Sequence, residues 1–180
     1  MKNRWILLLI LTPILTACAL HPVGLPTITP PTEAFELYLL LDDQAHGADI
    51  IDAPVNALEL AEIPMLTTAD LDSYDRKTHT IELTEAAMQK VTSLLEDGFQ
   101  VAGIPFVIVS KDERLYAGAF WTPLSSQSFD GVVIMDPAFL TEGNTLQITL
   151  GYPGPDHYTG TDPRDNAHLM DALDAVGVLD

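Results

Sequence analysis

The stretch "IPFVIVSKDERLYAGAFW", residues 104–121, decides the fold of this chain. Two apolar runs, 104–110 and 114–121, flank a short polar segment, which predicts an antiparallel hairpin. In the second run one face carries Leu115, Ala117, Ala119 and Trp121, and the other carries Tyr116, Gly118 and Phe120. Apolar residues on both faces indicate a central strand, either covered on both sides or exposed on one side to a partner. Gly118 leaves room for the close approach of a backbone or a ligand.

Further strands are predicted on both sides of this hairpin. Alternating or apolar runs favour strands at 35–41, 57–60, 79–83, 131–135 and 145–152. Segment 42–56 is typical of a loop or an insertion, and Thr67 or Thr68 is expected to cap a short turn through 68–75. Together with two helices, these strands predict an α+β fold with a mostly antiparallel sheet and helices packed on one face.

Both predicted helices have start and stop signals. The first follows Thr84 as its cap and stops at Gly98. The second is expected to start at Asp162-Pro163 and to end at Gly177. Each has one apolar face at three- and four-residue spacing, formed by Ala87, Met88, Val91, Leu94 and Leu95 in the first and by Leu169, Ala172, Leu173 and Val176 in the second.

The first residues carry an export signal. Lys2 and Arg4 precede an apolar run too short and too interrupted to span a bilayer. The run leads to Leu15-Thr16-Ala17-Cys18, which resembles a bacterial lipobox, and Cys18 is the single cysteine of the chain. This resemblance implies that Cys18 carries lipid and holds an extracytoplasmic protein on a bacterial membrane. The alternative is an ordinary signal peptide with a chance cysteine.

The chain is thus predicted to have three parts. Residues 1–17 form the signal peptide, and residues 18–33, with four prolines, form a semi-rigid tether. Residues 34–180 form one α+β domain, which is long enough to bury a core without disulfides.

The charge of the chain restricts its partners. Without Lys2 and Arg4 the mature protein has 26 acidic and 6 basic residues, a net charge near −20. Nucleic acid is excluded as a partner because its binding depends on Lys and Arg meeting phosphates. Cations and basic protein surfaces are attracted to such a chain. The plainer interpretation is that the charge only keeps the domain soluble.

One segment resembles a known family. In "PMLTTADLDSYDRKTHTIELTEAAMQKV", residues 64–91, an apolar-Leu-Thr start, an acidic-apolar pair, a strand, a second Leu-Thr and a helix follow one another. This order resembles the periplasmic P1-type domain of SecD/SecDF proteins, and the hairpin that follows extends the likeness to about residues 64–135. No transmembrane helix is predicted after it, so the proton-driven pump of that family is not carried over. The resemblance implies a fold, and binding of a protein or peptide outside the membrane without catalysis. The whole chain also resembles bacterial lipoproteins.

The segment "LYAGAFWTPLSSQSFDG", residues 115–131, is the first candidate site. Tyr116, Phe120 and Trp121 would supply the aromatic side chains of a binding surface, although aromatic residues fill cores more often. A serine nucleophile needs a base and a group that orients it. Ser125, Ser126 and Ser128 lack the motifs of known serine hydrolases, and the favoured interpretation is that they stabilise a turn.

A second candidate is a metal site in "PDHYTGTDPRDNAH", residues 155–168. Asp156, His157 and Asp162 are ligand types for calcium or zinc, and Asp165 and His168 lie nearby, but their spacing matches no known metal motif. The acidic cluster of Asp42, Asp43, His46 and Asp49 is most simply a solvated loop.

The sequence therefore predicts a non-catalytic, lipid-anchored binding domain that engages a protein or peptide at the cell envelope and uses no cofactor. The alternatives are a lipoprotein that binds a small molecule or a divalent cation and, third, a hydrolase with an unrecognised site. The sequence indicates no oligomeric state.

Overall fold

A computed structural model describes residues 33–97, 101–139 and 143–180, so the predicted signal, Cys18, the tether up to residue 32 and the Gly98 stop lie outside the described residues. The central feature is an eight-stranded sheet. Its strands are β1 (Glu36–Leu39), β2 (Leu66–Thr67), β3 (Leu71–Asp75), β4 (Thr80–Leu83), β5 (Ile104–Ser110), β6 (Glu113–Trp121), β7 (Phe129–Met135) and β8 (Thr145–Tyr152). The strand predicted at 57–60 is reduced to an isolated bridge between Leu40 and Leu60, and β3 lies where a turn was expected.

The sheet is mixed, which corrects the prediction of a mostly antiparallel one in one respect. The strand order is β2-β1-β5-β6-β7-β8-β4-β3. The predicted β5–β6 hairpin is present, but β6 and β7 are parallel, with Gly118 opposite Val132. Their connection, residues 122–128, is shorter than most parallel crossovers and contains no helix. Turn-forming residues in this connection signal a change of direction, but they do not show whether the next strand is antiparallel or parallel to β6.

In the described ranges three α-helices accompany the sheet: α1 (Gly47–Ile50), α2 (Glu85–Asp97) and α3 (Ala167–Val176). The Thr84 hydroxyl accepts a hydrogen bond from the Ala87 N–H at 3.2 Å, which confirms the predicted cap of α2. The predicted start of α3 is wrong. Asn166 is the cap, and its Oδ1 accepts from the N–H groups of His168 and Leu169. Gly177, at a φ of +77°, ends α3 as predicted.

Two apolar cores lie on the two faces of the sheet. The larger core buries α2 and α3, through residues such as Val91 and Leu173, against side chains from all eight strands. The smaller core packs Ile50 of α1 against β6 and β7. The prediction that the helices lie on one face therefore holds for α2 and α3 but is wrong for α1, whose four residues lie in the segment expected to be a loop.

The two outer strands of the curled sheet are consecutive in the chain, because β2 and β3 are joined by the single 3-10 turn Thr68–Asp70. The outer side of β3 is partly covered by residues 178–180. The Tyr74 N–H donates to the Val178 carbonyl at 2.7 Å, and the Asp180 N–H donates to the Tyr74 carbonyl at 2.9 Å. This pairing protects an edge that would otherwise expose backbone hydrogen-bonding groups.

Candidate functional site

The aromatic residues predicted as a binding surface lie inside the protein. Phe120 and Tyr116 belong to the larger core and Trp121 to the smaller one, and none is more than 5% exposed. Burial raises the pKa of Tyr116 well above its usual value, so this hydroxyl stays neutral. The Tyr116 and Phe120 rings lie on one side of β6 and the Trp121 ring lies on the other, so the three rings do not form one exposed surface.

Trp121 is held by close packing. Its ring stacks on Phe129 with a centroid distance of 4.8 Å. Gly103 has a φ of +78°, and a Cβ at this position would lie 2.4 Å from the Trp121 ring. At Gly118 a Cβ would lie 2.6 Å from the Phe106 ring and 2.7 Å from the Val132 carbonyl oxygen, so the room predicted there is taken by a side chain and by the β7 backbone.

The serines after β6 stabilise a turn. The buried Ser125 hydroxyl donates to the Val101 carbonyl at 2.5 Å and accepts from the Gln127 N–H at 3.2 Å. Ser126 and Ser128 are exposed. In the described part of the chain no hydrogen bond joins these hydroxyls to a histidine, which is the contact that activates a serine nucleophile.

The candidate metal ligands are not gathered around one point. Asp156 and His157 are exposed in the 3-10 turn Pro155–His157. Asp162 instead accepts two hydrogen bonds from the Arg164 side chain, at 2.9 and 2.7 Å, and this contact lowers the pKa of Asp162. Across residues 33–97, 101–139 and 143–180, no group of three or more His, Cys, Asp or Glu residues could hold a metal ion.

The central strands place two different surfaces at their two ends. At the entry end, where the described chain begins, the Lys111 N–H donates to the Glu33 carbonyl at 2.8 Å and the Ser110 hydroxyl donates to the Ala34 carbonyl at 2.7 Å. The opposite, far end lies beyond Ile104. The seven residues of β5 separate the two ends by about 20 Å.

Large apolar side chains are exposed at the far end. Leu41 follows β1, Val101 precedes β5, Leu124 follows β6 and Phe139 follows β7, with exposed fractions of 60, 45, 59 and 47%. The bond from Ser125 to the Val101 carbonyl brings two of the connections together. A third connection, the one after β7, is fixed at its start because the Asp136 N–H donates to the Trp121 carbonyl at 2.8 Å. Exposed apolar residues gathered at one end of a domain are typical of an interaction surface.

An open groove of about 380 Å³, here called the acidic groove, lies beside these residues. Its apolar lining comes from Leu40, Ala45, Ala57 and Leu58, and its polar lining from Asp42, Gln44, Asp49 and Glu59. Two contacts show that one side of it adjoins the far end, whereas its Leu58 side is bound by Arg114, which lies opposite Val109 near the entry end. The Leu41 N–H donates to the Glu59 carbonyl at 2.8 Å, and the Gly47 N–H donates to the Ala102 carbonyl at 2.9 Å.

The segment around the acidic groove is rich in carboxylates and contains no Lys or Arg. Residues 33–75 contain 11 acidic residues and no Lys or Arg. Within the described ranges Asp42, Asp49 and Glu59 take part in no salt bridge. The nearest contact by a base is that of Arg114, whose guanidinium donates to the carbonyl oxygens of Val55, Asn56 and Leu58 at 3.3, 3.3 and 2.6 Å. Arg114 thus fixes the wall of the groove without neutralising its rim.

A second cleft, of about 240 Å³, lies between the α1 segment and the start of β7. Its lining is mostly apolar, and two of its polar side chains, Asp130 and Tyr158, are already engaged, whereas the buried Tyr116 hydroxyl has no hydrogen-bond partner among the described residues. Asp130 accepts from the N–H and the hydroxyl of Thr159 at 2.8 and 2.6 Å, and the Tyr158 hydroxyl donates to the Thr161 carbonyl at 2.7 Å. The acidic groove therefore offers more unpaired charge to a ligand.

Sequence reasoning missed the far end, because its apolar residues are scattered over four connections that only the fold brings together. Residues 33–75 contain 11 acidic residues and no Lys or Arg, and this imbalance is the sequence signal that could have located the groove.

No protein-family model, no curated protein and no solved structure matches this chain. None of the helices in the described ranges is long and apolar enough to cross a membrane.

Proposed function

We propose that this protein is a lipid-anchored, extracytoplasmic domain that binds a protein or peptide at the cell envelope without catalysis. Cys18 carries the lipid, residues 18–33 form the tether, and the far end contacts the partner. The resemblance of residues 64–135 to the periplasmic P1-type domain of SecD/SecDF proteins supports the same function, which is binding of a protein or peptide outside the membrane.

The observation that carries this proposal is the separation of the two ends of the sheet. The described chain begins at the entry end, and the exposed Leu41, Val101 and Leu124 lie at the opposite end. An anchor that precedes Glu33 by 15 residues reaches at most about 45 Å when extended. Because the tether joins the domain at the entry end, the far end is the one left accessible to a partner.

Crosslinking in native membranes, followed by mass spectrometry, tests this function. We expect a specific protein partner that is captured by the wild type and lost with Leu124→Ser combined with Phe139→Ser. Both side chains are exposed, so the domain stays folded.

Val176→Ser is the matched control, because Val176 is 51% exposed and belongs to α3, not to the four connections that carry the exposed apolar residues of the far end. Cys18→Ser is expected to release the protein from membranes. A partner that survives the double substitution, or reproducible substrate turnover lost on Ser125→Ala, Ser126→Ala or Ser128→Ala, would contradict the proposal.

A further inference from the structure

We infer that the partner segment is basic and apolar, and that it docks with a Lys or Arg side chain in the acidic groove. This inference rests on the proposed function and adds the chemistry of the partner. It takes the far end as one docking surface, formed by the exposed Leu41, Val101, Leu124 and Phe139 together with the groove beside them.

The lining of the groove matches the two parts of a long basic side chain. Leu40 and Leu58 supply an apolar wall, and Asp42, Asp49 and Glu59 supply carboxylates. Lys and Arg place their apolar stems along such a wall while their charged heads remain near water. A groove of about 380 Å³ accommodates individual side chains of a segment, not a folded domain.

Charge complementarity favours this occupant over an acidic or neutral one. Six carboxylates of the surrounding segment, on Asp42, Asp43, Asp49, Asp52, Glu59 and Glu62, form no salt bridge among the residues that the structure describes. A basic segment would receive the charge pairing that the described residues do not supply, and the net charge near −20 of the mature chain would steer it toward the protein. Charge attraction brings the segment to the surface, and the exposed apolar residues beside the groove then add contact area to the complex.

The wall of the groove is preorganised for such a guest. The three carbonyl contacts of Arg114 fix residues 55–58. The Asp49 carboxylate accepts from the His46 N–H at 2.7 Å, which orients it before binding. A fixed wall reduces the ordering entropy lost when a segment docks.

The test uses the whole mature chain from residue 18 with Cys18→Ser, and a fluorescent synthetic peptide of alternating Leu and Lys residues. We expect binding by fluorescence anisotropy at 0.15 M salt that weakens in 0.5 M salt. Replacing the groove carboxylates together, Asp42→Asn, Asp49→Asn and Glu59→Gln, is expected to weaken binding about tenfold or more. A peptide of alternating Leu and Glu residues is expected not to bind.

The matched control removes three charges elsewhere, with Asp72→Asn, Glu82→Gln and Asp174→Asn, all exposed. Near-wild-type binding by this control, with loss in the groove variant, supports the inference. Equal weakening in both variants, or no binding of the Leu-Lys peptide, overturns it. In native membranes, a partner that still crosslinks to the groove variant but not to Leu124→Ser with Phe139→Ser overturns the inference and leaves the proposed function standing. If no partner is captured, the proposed function fails.

Discussion

Acidic residues beside α3 and acidic residues around the groove are used in opposite ways. Beside α3, Asp162 accepts from the Arg164 side chain and Asp165 accepts from Arg76 at 2.6 Å. Around the groove, the Asp42 side chain accepts from the Gln44 N–H at 2.9 Å and the Asp49 side chain from the His46 N–H at 2.7 Å, both within their own loop. The chain thus places its few bases where they connect loops to the sheet and leaves the far end without neutralisation.

This difference separates charge that stabilises the fold from charge that is available for binding. The Arg164 side chain is 16% exposed and also donates to the Ile148 carbonyl of β8 at 2.8 Å, so the Asp162–Arg164 pair attaches its loop to the sheet. Within residues 33–97, 101–139 and 143–180, the groove carboxylates form no salt bridge that attaches their loop to another element. Substitutions in the two regions are therefore expected to affect stability in opposite directions.

The largest effect is expected at Arg114, the base that shapes the groove without pairing with its acids. Arg114→Ala leaves three carbonyl groups without their donor, and we expect the free energy of unfolding to fall by about 2 kcal/mol. Chemical denaturation measures this loss, and faster amide exchange in residues 55–61 locates it. Lys77→Ala, at an exposed base, is the control and is expected to change stability by less than about 0.5 kcal/mol. An unchanged stability in Arg114→Ala would show that the wall is fixed by other contacts.

A smaller effect is expected at Asp162. Asp162→Asn loses the charged pair with Arg164, and because the Asp162 side chain is 40% exposed we expect a loss of about 1 kcal/mol at pH 7. The pKa of Asp162 is lowered in the folded protein by the hydrogen bond from Arg164. Its contribution is therefore complete above the unfolded pKa of about 3.9 and disappears as the pH falls through the folded value.

Denaturation midpoints of the wild type and of Asp162→Asn should thus differ at pH 7 and converge in acid. Asp156→Asn, at an exposed neighbour in the same loop region, should match the wild type throughout. A difference that stays constant down to low pH would show that the pair is not the origin of the effect.

The smallest effect, of opposite sign, is expected in the acidic groove. Asp42→Asn, Asp49→Asn and Glu59→Gln remove mutual repulsion, and the new amide oxygens still accept the backbone hydrogen bonds. We expect the free energy of unfolding to stay the same or to rise by up to about 1 kcal/mol. Denaturant titration checks this result. A loss larger than about 1 kcal/mol would place these carboxylates in the same structural role as Asp162 and remove the contrast.

Local pattern predicted the elements well where each signal was contained in one segment. The bounds of β5 and β8 match the predicted runs, and Thr84 and Gly177 act as the expected helix signals. The start of α3 failed because Asp162, which resembles a helix cap, bonds Arg164 instead, and Asn166 takes its place.

The elements that pattern missed depend on distant partners. The strand β3 pairs with β4 along one side, and its apolar positions are only Leu71 and Tyr74, too few for a clear alternation. The parallel step from β6 to β7 is accompanied by the stacking of Phe129 on Trp121, a contact between residues that no local pattern in the sequence signals. For the same reason the aromatic residues expected at the surface lie in the cores, and the far end, assembled from four connections, has no signature in any one of them.

The order of strands also has a consequence for the timing of folding. β5 to β8 are neighbours in the sheet and consecutive in the chain, whereas β1 must wait for β5, and β4 must wait for β8. A growing chain emerges from its amino terminus, so β1 and β4 leave the ribosome or a translocon before their partners β5 and β8 exist, although β1–β2 and β3–β4 are already complete pairs. Long-range pairing of this kind slows folding. The acidity of residues 33–75 then has a second effect. Repulsion between like charges keeps this unfinished segment from associating with other chains until β8 has been synthesised.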